Sequence, residues 1–185
     1  MLAKTKTCAV VGLDGHMVDV EVDISPGLPK FTVVGLPDAA VRESTERVRA
    51  AIRNSGTEFP MKRITASLAP SDLPKSGPSY DLPIAAAVLA SSGQLPHVDP
   101  GSLLLGELAL DGKLRATQGI LPMVAVGRER GYDTVFVPEE NAPEAALVSD
   151  MNVVPVESLE TLISHLRGMR KLPMFDRKTG QVREA

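Results

Sequence analysis

Aromatic side chains are scarce in this chain, at 3% of 185 residues, and tryptophan is absent. Its core must therefore be aliphatic, and stacking of single-stranded bases on aromatic platforms is disfavoured as a binding mode. Cysteine is reduced to Cys8, which excludes an internal disulfide and points to a reducing, cytoplasmic setting. The apolar run Cys8-Ala9-Val10-Val11 suggests a buried small hydrophobe there rather than a nucleophile. No apolar run is long enough to span a bilayer. MLAKTKTCAVVG meets Asp14 and His16 too soon to be a secretory signal. Excess positive charge is also missing: the net charge is −3, so no global attraction to nucleic acid or membrane follows. The motifs G-x-x-x-x-G-K-[ST] and G-x-G-x-x-G do not occur, so neither common phosphate grip is present. His16, His97 and His165 are scattered without partners at metal-ligand spacing.

The remaining composition, 43% hydrophobic and 23% charged, is that of a globular domain long enough to bury its own core. Residues 3–13 and 16–24 read as strands joined at Leu13-Asp14-Gly15, since Asp-Gly between β-rich runs signals a hairpin. Val18, Val20, Val22 and Ile24 alternate with Asp19, Glu21 and Asp23, the pattern of a half-buried strand. Phe31–Val34 makes a third strand. Asp38 then caps a helix running to Asn54-Ser55-Gly56, with Val41, Thr45, Val48 and Ile52 on its apolar face and Glu43–Arg47 at i,i+4 spacing. A fourth strand spans 62–68. The proline-rich loop 69–79 leads into an alanine-rich helix through Ala90 whose even apolarity predicts burial on all sides.

Beyond it, strands are expected at 103–110, 113–116, 134–137 and 152–156. Helices are expected at 120–130, at 139–148 with an interruption at Pro143, and at 158–167. Antiparallel strands followed by alternating strands and helices predict an α/β (α+β) domain, a mixed sheet with covering helices. Residues 170–185 lose periodicity and read as a linker or frayed tail.

The loop Pro74-Lys75-Ser76-Gly77-Pro78-Ser79 resembles the segment that carries the nucleophilic serine of Lon-type proteases, with Ser79 at the nucleophile's position. Gly106-Glu107-Leu108, Asp111-Gly112 and Val135-Phe136-Val137-Pro138-Glu139-Glu140-Asn141 continue the likeness. Counted back from Gly131, Leu121 stands where those enzymes have their catalytic lysine. A serine hydroxyl needs a base to take its proton, and leucine cannot serve. Tyr80-Asp81 also replaces two small residues and is expected to crowd the substrate's place. Two other readings of Ser79 remain open: a helix cap, or a cryptic serine peptidase or peptide-binding site using Lys75 or Lys113 as base.

Longer strings carry a second resemblance. Phe31-Thr32-Val33-Val34-Gly35-Leu36-Pro37-Asp38-Ala39-Ala40-Val41-Arg42-Glu43-Ser44, Leu68 through Lys75, and Ser79-Tyr80-Asp81-Leu82-Pro83-Ile84-Ala85 resemble the N-terminal domain of the magnesium-chelatase-like ComM/YifB family. The resemblance covers residues 1–168 and implies a fold like ribosomal protein S5 domain 2, shared with Lon. It implies that 169–185 lead toward an AAA+ module lying outside this chain, which would hold ATP and Mg²⁺, and that this domain needs no cofactor. It further implies a hexameric, ATP-driven machine of DNA branch migration in natural transformation. Its own contribution would then be binding: Arg42, Arg49 and Arg53, with Arg47 nearby and Lys62-Arg63 following, form a basic cluster suited to DNA phosphates or to a subunit contact, the other reading being a solvated helix face whose arginines pair with Glu43 and Glu46.

Overall fold

Two long strands open the chain in the computed structural model, which describes residues 1–183. Strands β1 (Leu2–Val11) and β2 (Asp14–Ser25) form an antiparallel hairpin in which Val11 faces Asp14. The turn is therefore Gly12-Leu13, not the expected Leu13-Asp14-Gly15, and Gly12 takes the positive φ of +65° that a tight hairpin turn requires. Gly15 is glycine for a different reason, since a Cβ on it would run into the Pro122 carbonyl oxygen. Val18, Val20 and Val22 are fully buried, as their alternation predicts.

Strand β3 (Lys30–Val34) lies parallel to β4 (Arg63–Ala69) at one edge of the sheet. Between them the chain forms α1 (Ala39–Arg42) and α2 (Ser44–Asn54), so the single helix expected there is interrupted at Glu43. Asp38 caps α1 by accepting from Val41 N–H at 2.8 Å. Val41, Val48 and Ile52 are buried, but Ser44, not Thr45, completes that face. Every residue of α3 (Asp81–Ser91) is buried, and the helix packs against β1, β2 and α2.

Strand β5 (Ser102–Leu104) is shorter than expected. The chain leaves the sheet at Leu105-Gly106, and β6 (Glu107–Leu108) pairs with β7 (Leu114–Arg115) around Asp111-Gly112. Then follow α4 (Ile120–Glu129), β8 (Thr134–Pro138), a 3₁₀ turn (Glu139–Asn141), α5 (Ala142–Ala145), β9 (Asn152–Val156) and α6 (Leu159–Leu166). Pro143 occupies the first turn of α5, where its missing N–H costs nothing, rather than interrupting a helix.

The seven-stranded sheet runs β3-β4-β2-β1-β5-β8-β9, antiparallel around β2 and parallel elsewhere. Alternate residues of its central strands feed two cores. Leu104, Phe136 and Val154 join α2, α3 and α6 on one face. Cys8, Leu103, Val135, Val137 and Val153 join α4 and α5 on the other. This is the mixed α/β sheet with covering helices that the Lon-like resemblance implies.

Residues 170–183 depart from the expected frayed tail. Strands β10 (Met174–Asp176) and β11 (Gln181–Arg183) pair as a hairpin, with β10 beside β9. Phe175 packs on the second core. The Arg177 guanidinium donates to the carbonyls of Ala146 and Val148, both at 2.8 Å, and to that of Met151. Polar composition hid a docked segment. Among the described residues no helix is long and apolar enough to cross a membrane.

Candidate functional site

The loop that carries the Lon-like likeness is tied into the fold from several sides. Lys75 N–H donates to Leu36 O at 3.0 Å, and Asp38 N–H donates to Lys75 O at 2.9 Å, so the loop bridges onto the end of β3. The Asp38 carboxylate accepts from Gly77 N–H at 3.2 Å as well as capping α1. Lys75 itself is 0% exposed and its Nζ donates to the Pro70 carbonyl. Burial pushes its ammonium below the ordinary lysine value, with Asp72 pulling the other way. It is thus a buried strut rather than a free base.

Ser79 is 5% exposed and lines a cleft of about 570 Å³ together with Ser76, Glu107, Thr117, Gly119 and Met123. The Ser79 carbonyl accepts from Gly106 N–H at 3.0 Å, the bond that diverts the chain out of β5. Ser79 does not cap the following helix: Tyr80 holds that position, and no side chain makes a capping bond there. Among the described residues no lysine or histidine lines the cleft, and neither Lys75, Lys113 nor Leu121 is among its lining residues. Leu121 is 40% exposed in the first turn of α4. The Thr117 hydroxyl, buried at the cleft wall, has no hydrogen-bond partner.

Tyr80 and Asp81 do not crowd the cleft. They are 1% and 0% exposed and point into the protein. Asp81 is the centre of a buried clamp that sequence reading missed. Its Oδ2 accepts from Arg47 Nε at 2.6 Å and from Leu108 N–H at 3.0 Å, and its Oδ1 accepts from Arg47 Nη2 at 3.1 Å and from the Ser44 hydroxyl. Burial pushes the Asp81 carboxyl above the ordinary carboxylate range, against the pulls of Arg47, Ser44 and the Leu108 N–H. Arg47 also donates to Ala40 O at 2.7 Å and meets Glu43 at 3.6 Å. Only the Glu43 spacing was visible in sequence; the partner 34 residues away was not.

The basic cluster separates. Arg47 is consumed by Asp81. Arg42, in α1 ahead of the break at Glu43 and at the opposite end of the helical segment from Arg53, donates to Pro37 O. The rest lie toward the β3–β4 end of the sheet, on both of its faces. The Arg49 guanidinium lies 5.3 Å over the Phe59 ring, and Phe59 packs on Phe31 at 5.5 Å. Arg53 follows Arg49 by one helical turn. Arg63 stands opposite Lys30 in the β3–β4 register, and Lys30 N–H reaches Lys62 O at 3.4 Å. Lys30 is a member of this group that the sequence did not nominate.

Cys8 is fully buried, donating weakly to Met17 Sδ at 3.6 Å, and burial pushes its thiol up to about 12. Among the described residues no group of three or more His, Cys, Asp and Glu is placed to hold a metal ion.

Comparison with known proteins places these observations in a family. The family model described as subunit ChlI of Mg-chelatase matches residues 20–141. The chain is 41% identical over 175 residues to the competence protein ComM of Haemophilus influenzae, covering 94% of this chain and 34% of that protein. It is 44% identical over 172 residues to the uncharacterized protein YifB of Salmonella typhimurium, covering 92% and 34%. The Lon protease of Mycolicibacterium smegmatis is 27% identical over 161 residues, covering 83% of this chain and 20% of the enzyme. The chain spans about a third of the length of the ComM and YifB relatives.

Proposed function

The chain belongs to the family described as subunit ChlI of Mg-chelatase, and from that premise we propose that it is the non-catalytic, Lon-like N-terminal domain of a ComM/YifB-type AAA+ ATPase. In this reading the ATPase module carries ATP and Mg²⁺ and closes into a hexameric ring. The present domain supports ring assembly and DNA engagement during cytoplasmic, ATP-driven branch migration in natural transformation.

The observation that supports a non-catalytic role is the composition of the Ser79 cleft. The Lon-like chemistry that the resemblance implies needs a lysine amine within hydrogen-bond reach of the serine to accept its proton. The cleft offers Glu107 and hydroxyls but no lysine or histidine. Lys75, the nearest lysine in sequence, spends its ammonium on the Pro70 carbonyl. A fluorophosphonate probe tests this directly: no adduct on Ser79 is expected, and stoichiometric labelling would make the domain a peptidase. The supporting role is tested by sizing a longer chain that includes the ATPase module, with and without nucleotide and forked DNA. A ring is expected with the module; a module that assembles and works equally well without residues 1–168 overturns the role proposed for them.

A second reading keeps the cleft as a peptide-binding groove. The Thr117 hydroxyl, unpartnered at its wall, is the observation in its favour. Retention of extended peptides by this chain, lost on Ser79→Trp, is the result that would establish it.

A further inference from the structure

Five cations stand toward the β3–β4 end of the sheet: Arg49 and Arg53 in the last turns of α2, Lys62 just before β4, and Lys30 and Arg63 opposite each other at the starts of β3 and β4, on the face away from α2 because their neighbours Phe31 and Ile64 pack toward it. Among the described residues the ion pairs involve Lys4, Lys6, Arg47 and Arg128, and none of these five. Lys30, Arg53, Lys62 and Arg63 are exposed, whereas Arg49 is half-buried and stacked on Phe59. The carboxylates of the same elements are Glu46 on α2 and Glu58 before β4, with Asp23 on the neighbouring strand. In a chain of net charge −3, so many unneutralised cations in one place make a strongly dipolar surface.

Resting on the DNA-engagement part of the proposed function, we infer that this end of the sheet, rather than the whole arginine face of the helix, is a phosphodiester-backbone contact for nucleic acid. Two features select that partner. A lipid surface needs a continuous apolar face to receive, but the apolar side of α2 (Val48, Ile52) is spent in the core, and the exposed apolar side chains beside these cations are two separate turn residues, Leu28 and Met61. Stacked bases need an open aromatic face, yet Phe59 is covered by Arg49 and abuts Phe31. What remains is charge at the positions of Lys30, Arg53, Lys62 and Arg63, which reads phosphates and not sequence.

The test is fluorescence anisotropy of this chain with a short mixed-sequence DNA duplex, repeated with vesicles containing phosphatidylserine. Four phosphate contacts give a slope of log K against log salt of about −3.6, so binding weakens about 150-fold between about 50 and 200 mM salt. Arg53→Glu with Lys62→Glu halves that slope, while Arg42→Glu at the other end leaves it unchanged. Melting curves of each variant, and a parallel Lys30→Gln with Arg63→Gln pair, separate a lost contact from a lost fold. Equal losses from Arg42→Glu, a slope indifferent to both pairs, no salt-dependent DNA binding, or tighter binding to the vesicles each overturn the inference. The same reversal in a longer chain carrying the ATPase module separates this surface from the broader role. DNA binding that persists there unaltered removes the surface and leaves the role standing, whereas a longer chain that ignores DNA removes both.

Discussion

Replacing Arg47 with methionine gives the most demanding test of how this domain is held together. Arg47 pairs with an aspartate of zero exposure through two hydrogen bonds, and its own side chain is only 17% exposed. Methionine keeps most of the volume but leaves the Asp81 carboxylate with the Ser44 hydroxyl and the Leu108 N–H as its remaining donors. Breaking a buried pair from one side costs about 3–5 kcal/mol, because a charge is left without compensation. The low end applies here, since two donors remain. For a chain of this size about 3 kcal/mol lowers Tm by about 6–12 °C. The cost must also depend on pH, and the sign follows from the direction of the Asp81 shift. Its pKa is raised in the folded state by burial. Such a group lends stability that is complete below the unfolded value of about 4 and lost as pH rises through the folded value. Removing Arg47 takes away a downward pull, so Asp81 titrates still higher and the lossy window widens. Urea denaturation of Arg47→Met against the parent should therefore show a penalty that is largest near neutrality and shrinks toward about pH 4. A penalty below about 1 kcal/mol, or one that is flat with pH, would mean that Asp81 is not held as a buried charge and that the clamp is misread.

Native Cys8 should resist iodoacetamide at neutral pH and react only on unfolding, because its thiol titrates near 12 inside the core; fast native labelling would contradict that burial. Gly35→Ala should destabilise by about 3 kcal/mol in chemical denaturation, since the residue sits at φ +109° and a Cβ would meet the Leu68 carbonyl oxygen. Arg177→Ala should expose residues 172–183 to limited proteolysis while leaving the melting of the main domain nearly unchanged; unaltered cleavage would mean the hairpin docks without that side chain. Leu121→Lys should not create a probe-reactive Ser79, because position 121 lies outside the cleft lining and is 40% exposed; labelling of that variant would show that a single amine is all the site lacks.

What the sequence conveyed and what it hid divide by the range of the interaction. The alternation of β2, the Asp38 cap and the burial of α3 on all sides are consequences of neighbours within a few residues, and all three are found in the structure. The hairpin turn was misplaced because two glycines three residues apart compete for it, and only the approach of Pro122 from α4 explains Gly15. The strand expected over 103–110 breaks because Gly106 bonds back to the Ser79 and Leu82 backbones. Those partners lie more than twenty residues earlier, and no periodicity encodes them. At the basic cluster, sequence listed arginines by helical spacing. It could not know that Asp81 takes Arg47, nor that the start of β3 brings Lys30 beside Arg63. The C-terminal hairpin was missed for want of a hydrophobic period, although Thr179-Gly180 supplies its turn, with Gly180 at φ +67° and its N–H donating to Asp176 O at 2.8 Å.

The Pro74–Ser79 string, read alone, invites a catalytic interpretation, yet several of its polar groups have structural partners. Lys75 contributes its N–H, its carbonyl and its ammonium to Leu36, Asp38 and Pro70. Gly77 donates to the side chain that caps α1, and Ser79 accepts from the residue that turns β5 toward β6. Immediately afterward Asp81 joins α2, α3 and β6 through one carboxylate. These ties hold the edge strand, the helix pair and the central helix in a fixed relation, and they do so whether or not a proton acceptor stands across the cleft. The string's presence is accounted for by these ties without reference to catalysis, which turns on the side chains that line the open cleft, Glu107 and the hydroxyls of Ser76, Ser79 and Thr117 among them.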